Sequence, residues 1–359
     1  MDYALFANVE NPFNDPTRAM AELVATVRHA ETLGFSAVWL TEHHFNRFSL
    51  SSSPLLLLAH LAAVTERIRL GVGALLLPLH DPIQVAEDLA TLDLLSGQRL
   101  LLGVARGGPF PNQFKHFSID PDEARLRMLT ALGQVERLLA ETDVHQVDRW
   151  HLCEGVTTEP RPPRPRLPTW IASVSPESIA HAAAHGHGLM APSPMPAGRV
   201  ADIFGAYRQA VATVSGRPWL SKAGEPLALA RFFLCAPTLA QARAQAAPFI
   251  RDFAARMGAV IARGGPQPFG VATPALSEDQ LLANAIVGDA SACADQIVRL
   301  VETVGPHTLL LKPATDHPEH ARHALSLFAD AVRPRLDTVF PPIPGGHAAQ
   351  GERHVPAAS

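Results

Sequence analysis

Apolar residues in this chain fall into two rhythms that take turns. Short continuous apolar runs, at residues 3–9, 36–41, 68–77, 100–105, 169–172, 188–191, 227–235 and 308–312, read as strands buried on both faces. Between them lie longer stretches with apolar positions three and four residues apart, the stripe of a helix packed on one side. The punctuation agrees. Asn14-Asp15-Pro16 opens a helix that Gly34 closes, Ser51-Ser52-Ser53-Pro54 opens a second, Asp81-Pro82 a third and Asp120-Pro121 a fourth. In the second half, helices are predicted over 176–185, 199–214, 238–257, 291–304 and 317–334.

Strands alternating with helices imply right-handed crossovers onto a parallel sheet. Eight such strands in one pass is the count of a (β/α)8 TIM barrel, an α/β fold, with a doubly wound open sheet as the alternative. Two stretches break the repeat and are read as insertions. The first follows the fourth strand at 141–168. It is polar and hairpin-like, and its Arg161-Pro162-Pro163-Arg164-Pro165-Arg166 suits an extended surface loop. The second lies between the seventh and eighth strands and contains the Gly/Pro-rich stretch 263–276. Residues 1–340 then form one barrel domain, and the tail 341–359, poor in apolar residues, is expected to be disordered.

Composition removes several classes of function. With 47% hydrophobic against 18% charged residues, the 359-residue chain can build a large core, and its net charge of −4 gives no case for nucleic acid or an anionic membrane. Cys153, Cys235 and Cys293 are scattered, without CxxC spacing, which argues against a disulfide framework or structural zinc and suits a reducing cytoplasm. No run approaches the roughly 20 apolar residues of a membrane span. A soluble, cytoplasmic protein is expected. One helix is unusual: Leu55 to Val64 is apolar all round, so its second face asks for a partner surface.

Candidate chemistry gathers where the strands end, which in a barrel is the catalytic face. The run Ser36-Ala37-Val38-Trp39-Leu40 ends in Glu42-His43-His44, three titratable groups that are costly to half-bury. Alternation puts Glu42 and His44 on one face and His43 on the other. Strand three carries Gly71-Val72-Gly73-Ala74, small residues that let something flat approach or simply pack the barrel. Strand four ends Ala105-Arg106-Gly107-Gly108, a cation beside two glycines; it suits an anion or a polar ring edge, or an ion pair with a neighbouring acid such as Glu42. Ser173-Val174-Ser175-Pro176-Glu177-Ser178 starts a helix with hydroxyls at its N-terminus, an arrangement that caps the helix and can also take phosphate, with Arg125 as a further cation. No GxGxxG follows a strand, so no NAD(P)H fingerprint is present. His181, His185 and His187, around one helix end, are read as exposed or dipole-compensating rather than as ligands.

Taken in order, Val38-Trp39-Leu40-Thr41-Glu42-His43-His44-Phe45, Leu75-Leu76-Leu77-Pro78, His80-Asp81-Pro82, Glu87-Asp88 and Gly103-Val104-Ala105-Arg106-Gly107 resemble the bacterial luciferase-like flavin monooxygenase family. The resemblance reaches to about residue 334 and is strongest in 1–140. It implies a TIM barrel that binds reduced FMN at its mouth, the flavin coming from a separate reductase, and that oxidises an apolar, aromatic or polyketide-like substrate with dioxygen through a flavin C4a-hydroperoxide, by hydroxylation or Baeyer–Villiger insertion. By the same resemblance His43 serves in acid/base chemistry, with Glu42 and His44 as its neighbours. Gly73, Ala74 and Ala105 lie by the flavin ring, and Arg106, Arg125, Ser175 and Ser178 lie around its phosphate. Residues 263–284 match a mobile lid, and pairing through the 55–64 helix implies a homodimer. Luciferases carry a cysteine where this chain has Ala105, so light emission is not implied.

His43 is expected to titrate near neutral pH, as an ordinary imidazole does. Three rivals stand beside the FMN reading: hydride transfer with the deazaflavin F420 on the same fold, a non-catalytic flavin-binding relative, and a metal-dependent hydrolase using Glu42, His43 and His44. Alternation disfavours the last, because adjacent residues point apart and no metal is expected.

Overall fold

In a computed structural model, residues 1–45, 48–108, 110–214, 226–262 and 277–340 are described. The predicted rhythm holds through the first half. Strand β1 (Asp2–Ala7) is followed by α1 (Pro16–Thr32), β2 (Ala37–Leu40), α2 (Pro54–Val64), β3 (Arg69–Leu76), α3 (Pro82–Leu95) and β4 (Leu100–Ala105). Two of the expected N-caps form: Asp15 accepts from the Arg18 N–H and Asp81 from the N–H groups of Ile83 and Gln84, and Gly34 takes a positive φ of 74°, whereas Ser53 precedes α2 without a side-chain capping hydrogen bond.

The 141–168 insertion is an antiparallel hairpin of β5 (Val144–Val147) and β6 (Leu152–Val156). Its proline-rich end is a strap tied down by arginines. Arg164 grips buried Asp93 with two hydrogen bonds of 2.7 and 3.0 Å, and Arg161 donates to the carbonyls of Leu138, Leu139 and Glu141. Then come β7 (Thr169–Ile171), α6 (Pro176–His185), β8 (Gly188–Ala191), α7 (Ala197–Ala212), β9 (Leu227–Cys235), α8 (Leu239–Ala262), β10 (Ile286–Gly288), α10 (Ala290–Val304) and β11 (Thr308–Pro313).

All barrel pairings are parallel, and the order β1-β2-β3-β4-β7-β8-β9-β11 closes back onto β1, giving eight strands. The barrel is filled by a small inner cluster of Ala4, Ala37, Trp39, Leu101, Met190, Ala228, Ala230 and Leu310. Trp39 meets Trp170 edge-on at 5.2 Å and takes so much space that a Cβ on Gly71 would lie 2.5 Å from its ring. The larger core lies between strands and helices. The barrel floor is therefore solid, and the open space within the barrel lies at its mouth.

The structure corrects the sequence reading in four places. Asp120 turns the chain by accepting from the Asp122 N–H, and helix α5 begins only at Ala124 (Ala124–Ala140). A short helix α4 (Pro111–His116) precedes it, unpredicted. The second insertion contributes α9 (Glu278–Ala283) and β10, which pairs with the C-terminal half of β9 outside the closed ring. The last helix is interrupted. It runs as α11 (Pro318–Leu327), a wider turn at Phe328–Val332, and α12 (Arg333–Val339), the wide turn burying Phe328 against Tyr3, Phe35 and Phe233. Residues 263–276 of the expected lid, and the tail 341–359, lie outside the described residues.

Candidate active site

A cavity of about 900 Å³ opens at the C-terminal ends of the barrel strands. Glu42, just past β2, is 3% exposed and anchors the wall around it. Its Oε1 accepts from His44 Nε2 at 2.7 Å and from His80 Nε2 at 2.9 Å, and Oε2 accepts from the Leu76 N–H at 2.7 Å. Burial opposes ionisation, but these donors outweigh it and hold the carboxyl below its usual range. Glu42 thus stays charged and ties the loops after β2 and β3 together. His80, which follows β3, is the partner that sequence reasoning quoted without giving it a role.

His43 faces the cavity from the other side of the chain. It is boxed edge-on by Phe48 at 5.4 Å and Phe110 at 5.9 Å. Burial, then the nearby Lys312 charge, pushes its imidazole down to about 3. The expectation of ordinary titration is thereby overturned: His43 is neutral at any physiological pH. His44 shares Glu42's face as alternation required, but it packs against Phe117 at 4.9 Å and is not part of the cavity lining.

On the β3–β4–β7 side the wall is flat. The β3–β4 register shifts between Val72 and Leu75, a bulge carrying Gly73 and Ala74 at the cavity surface beside Ala105. Gly107, at φ +110°, turns the chain after Arg106. The Arg106 guanidinium makes no hydrogen bond or ion pair among the described residues, so the alternative of a pair with Glu42 falls. Burial and the neighbouring Arg125 both disfavour its charge. Arg125 itself contacts Glu177 at 3.1 Å, on the surface. Ser175 caps α6, accepting from the Ser178 N–H at 3.2 Å and donating to Ser178 Oγ at 3.0 Å. Ser178 is fully buried beneath Ser175, so only the latter lines the cavity. Gln113, 1% exposed, brings to the same wall a side-chain N–H that has no hydrogen-bond partner among the described residues. Neither α4 nor Gln113 was legible in advance.

Small residues, a bare cation, an orphaned amide donor and a helix N-terminus together fit a flat ligand with an anionic tail. They would hold the ring at Gly73-Ala74-Ala105 and the anion at Arg106 and Ser175.

The sequence pattern of "luciferase-like monooxygenase" matches residues 1–307. The chain belongs to that family. Among relatives of this luciferase-like monooxygenase is limonene 1,2-monooxygenase of Rhodococcus erythropolis, 34% identical over 49% of this chain and 46% of that one. The 4-hydroxyprotoasukamycin monooxygenase of Streptomyces nodosus subsp. asukaensis is 29% identical over 90% of this chain and 88% of its own length. The oxygenase component of the flavin-dependent trigonelline monooxygenase of Acinetobacter baylyi is 29% identical over 52% of each chain. The match thus spans about half the length of the first and third relatives.

The crystal structure of monooxygenase RslO1 from Streptomyces bottropensis superposes with a TM-score of 0.81 at 26% identity, covering 94% of this chain and all 100% of that one. The fold alone is shared with two further structures. These are the FMN-bound oxygenating constituent of 3,6-diketocamphane monooxygenase from Pseudomonas putida (TM-score 0.78, 17% identity, 93% and 98% coverage) and an F420-dependent secondary alcohol dehydrogenase (0.74, 16%, 93% and 98%).

Proposed function

We propose that this luciferase-like monooxygenase takes reduced FMN from a separate reductase and oxidises an apolar or aromatic organic substrate with dioxygen, by hydroxylation or Baeyer–Villiger insertion. The observation that carries the reading is the presence of a half-buried, neutral imidazole, His43, in the same cavity as a flat wall whose end carries a cation with no partner among the described residues. When bound, reduced FMN supplies the two electrons by which one atom of dioxygen passes to the substrate and the other leaves as water.

The chain's own residues do the rest. Arg106, Arg125 and Ser175 bind the phosphate, with Ser178 fixing Ser175 from below, and Gly73, Ala74 and Ala105 leave room for the ring. His43 is kept uncharged, so it can hold a proton at the reacting edge in a hydrogen bond, as donor or acceptor, without bringing a charge of its own. Glu42, with His44 and His80, holds that strand end in place. Phe48 and Phe110 exclude water around the imidazole. The trigonelline relative's name, an oxygenase component, supports a separate reductase as partner.

An anaerobic titration with photoreduced FMN, followed by a pulse of oxygen, tests the proposal. Tight binding and a reoxidation slower than that of free reduced FMN are expected; reoxidation at the free-flavin rate would sink it. The F420 reading is tested alongside, by anaerobic hydride transfer from reduced F420 to a ketone.

Assembly as a homodimer belongs to the same proposal. Leu56 on α2 is 72% exposed, and on α3, packed beside it, Leu94 and Leu95 are 46% and 64% exposed, so both helices carry apolar side chains on their outer faces. Leu56→Glu is expected to turn a dimeric mass by light scattering into a monomeric one. A monomeric wild type at micromolar concentration would remove the dimer.

A further inference from the structure

The barrel order sets β11 and β1 diametrically across the mouth from β4 and β7, where Arg106 and Ser175 stand. That far side is differently built. Lys312 comes two residues after the inward-facing Leu310 on β11 and so projects into the barrel mouth. It is 9% exposed, and it makes no hydrogen bond or ion pair among the described residues. Its ammonium lies over the Phe232 ring, 5.5 Å from the centroid. Glu10, just past β1, and Arg256 on α8 also line this side, with Arg256 set over Phe48 at 5.0 Å. Around them stand the apolar side chains of Phe6, Phe249, Phe253 and Met257, with Asp252 and Asp316 as the further acids of this side.

An ammonium with no direct partner in an aromatic wall is costly to bury and is stabilised once an anion reaches it. Burial accordingly pushes Lys312 down to about 8 and Glu10 up to about 7.

We propose that Lys312 anchors a single ionised oxygen group, a carboxylate or phenolate, on an otherwise apolar substrate of aromatic size. This deepens the monooxygenase reading by naming the substrate class, and it rests on that reading for the location of the flavin at the opposite wall.

The test is binding, measured without flavin or turnover. The wild-type protein is titrated by calorimetry at neutral pH with 2-naphthoate and with 4-nitrophenolate, each against its uncharged counterpart, methyl 2-naphthoate or 4-nitroanisole. At least one acid should bind about tenfold tighter than its counterpart, the size of one charge-assisted contact. Preference for naphthoate alone assigns a carboxylate, and preference for nitrophenolate alone a phenolate.

Lys312→Met should abolish the preference, Lys312→Arg should restore part of it, and Arg106→Met should leave it unchanged. Equal binding of acids and counterparts by the wild type overturns the proposal, as does loss on Arg106→Met with none on Lys312→Met. Binding of reduced FMN is measured on the same proteins. If the wild type takes naphthoate but not FMN, the flavin reading fails and the anion site stands; if it takes FMN without acid preference, the reverse holds.

Discussion

The two halves of the barrel mouth are built on different plans. The β3–β4–β7 half is small, flat and rigid. Its polar groups are backbone N–H donors, a serine cap, the Gln113 amide and arginines at strand or helix ends. The β11–β1–α8 half is bulky and aromatic, with titratable side chains inside it. His43 stands between the two, on β2's end, and feels both: its aromatic box dries it, and the Lys312 charge pushes it further from protonation. The difference teaches that the first half has the form of a seat for a flat ligand with an anionic end, and the second that of a wall for a bulkier, partly charged one. Such a division predicts that substitutions on the two sides separate cleanly.

The largest effect should come from the residue between them. His43→Ala is expected to lower product formed per reduced FMN consumed by about a hundredfold or more, the usual span for a lost proton-transfer group. Its dissociation constant for reduced FMN should stay within about twofold. Full coupling in the variant would take His43 out of the chemistry and leave the mouth as two walls with nothing between.

Next in size is the flat half. Arg106→Ala removes a cation that makes no hydrogen bond or ion pair among the described residues, and reduced FMN should bind about tenfold to a hundredfold more weakly. Lys312→Met should leave that constant alone. If both substitutions weaken FMN equally, the division of the mouth is wrong.

Legibility followed the same division. The flat half is assembled from local signals. A Glu-His-His run at a strand end, a Gly-x-Gly-Ala strand and a Ser-Pro-x-Ser helix start each carry their meaning within a few residues. Alternation alone put Glu42 and His44 on one face, and they are hydrogen-bonded. The aromatic half has no such signature. Thr308 to Lys312 reads as a strand that happens to end in a lysine, and Glu10 as a loop acid before a proline. They become neighbours only because closure brings β11 beside β1, residues about 300 positions apart in the chain. His43's displaced titration was hidden for the same reason, since the groups that cause it, Phe48, Phe110 and Lys312, come from three different elements. Where helix boundaries failed, local chemistry had two uses: Asp120-Pro121 is a good helix start and an equally good turn, and packing chose the turn.

The pH dependence of stability sharpens the picture of His43. An unfolded imidazole takes its proton near 6.5 and the folded one near 3. Between those values the unfolded chain binds more protons, so stability falls as pH falls through the window. Allowing for some hydration from the cavity, this group should contribute about 2 kcal/mol of the loss. His43→Gln should flatten the urea midpoint between pH 6.5 and 4 relative to wild type. An unchanged slope would mean that the ring is hydrated enough to protonate in place.

The smallest effect, and the most pointed, concerns Lys312. Its folded value near 8 lies below the ordinary 10.5, so the folded state bears the full cost of the charge at neutral pH and sheds it as pH climbs through that window. Lys312→Met keeps the volume and removes the cation. It also strips Glu10 of a neighbouring positive charge, which raises that carboxyl further and cancels part of the gain. The net expectation is a stabilisation of about 1 kcal/mol by urea unfolding at pH 7, in a protein that has lost its preference for acids. A loss of stability instead would mean that the ammonium is already satisfied within the fold, and the aromatic half would then be packing rather than a place for substrate.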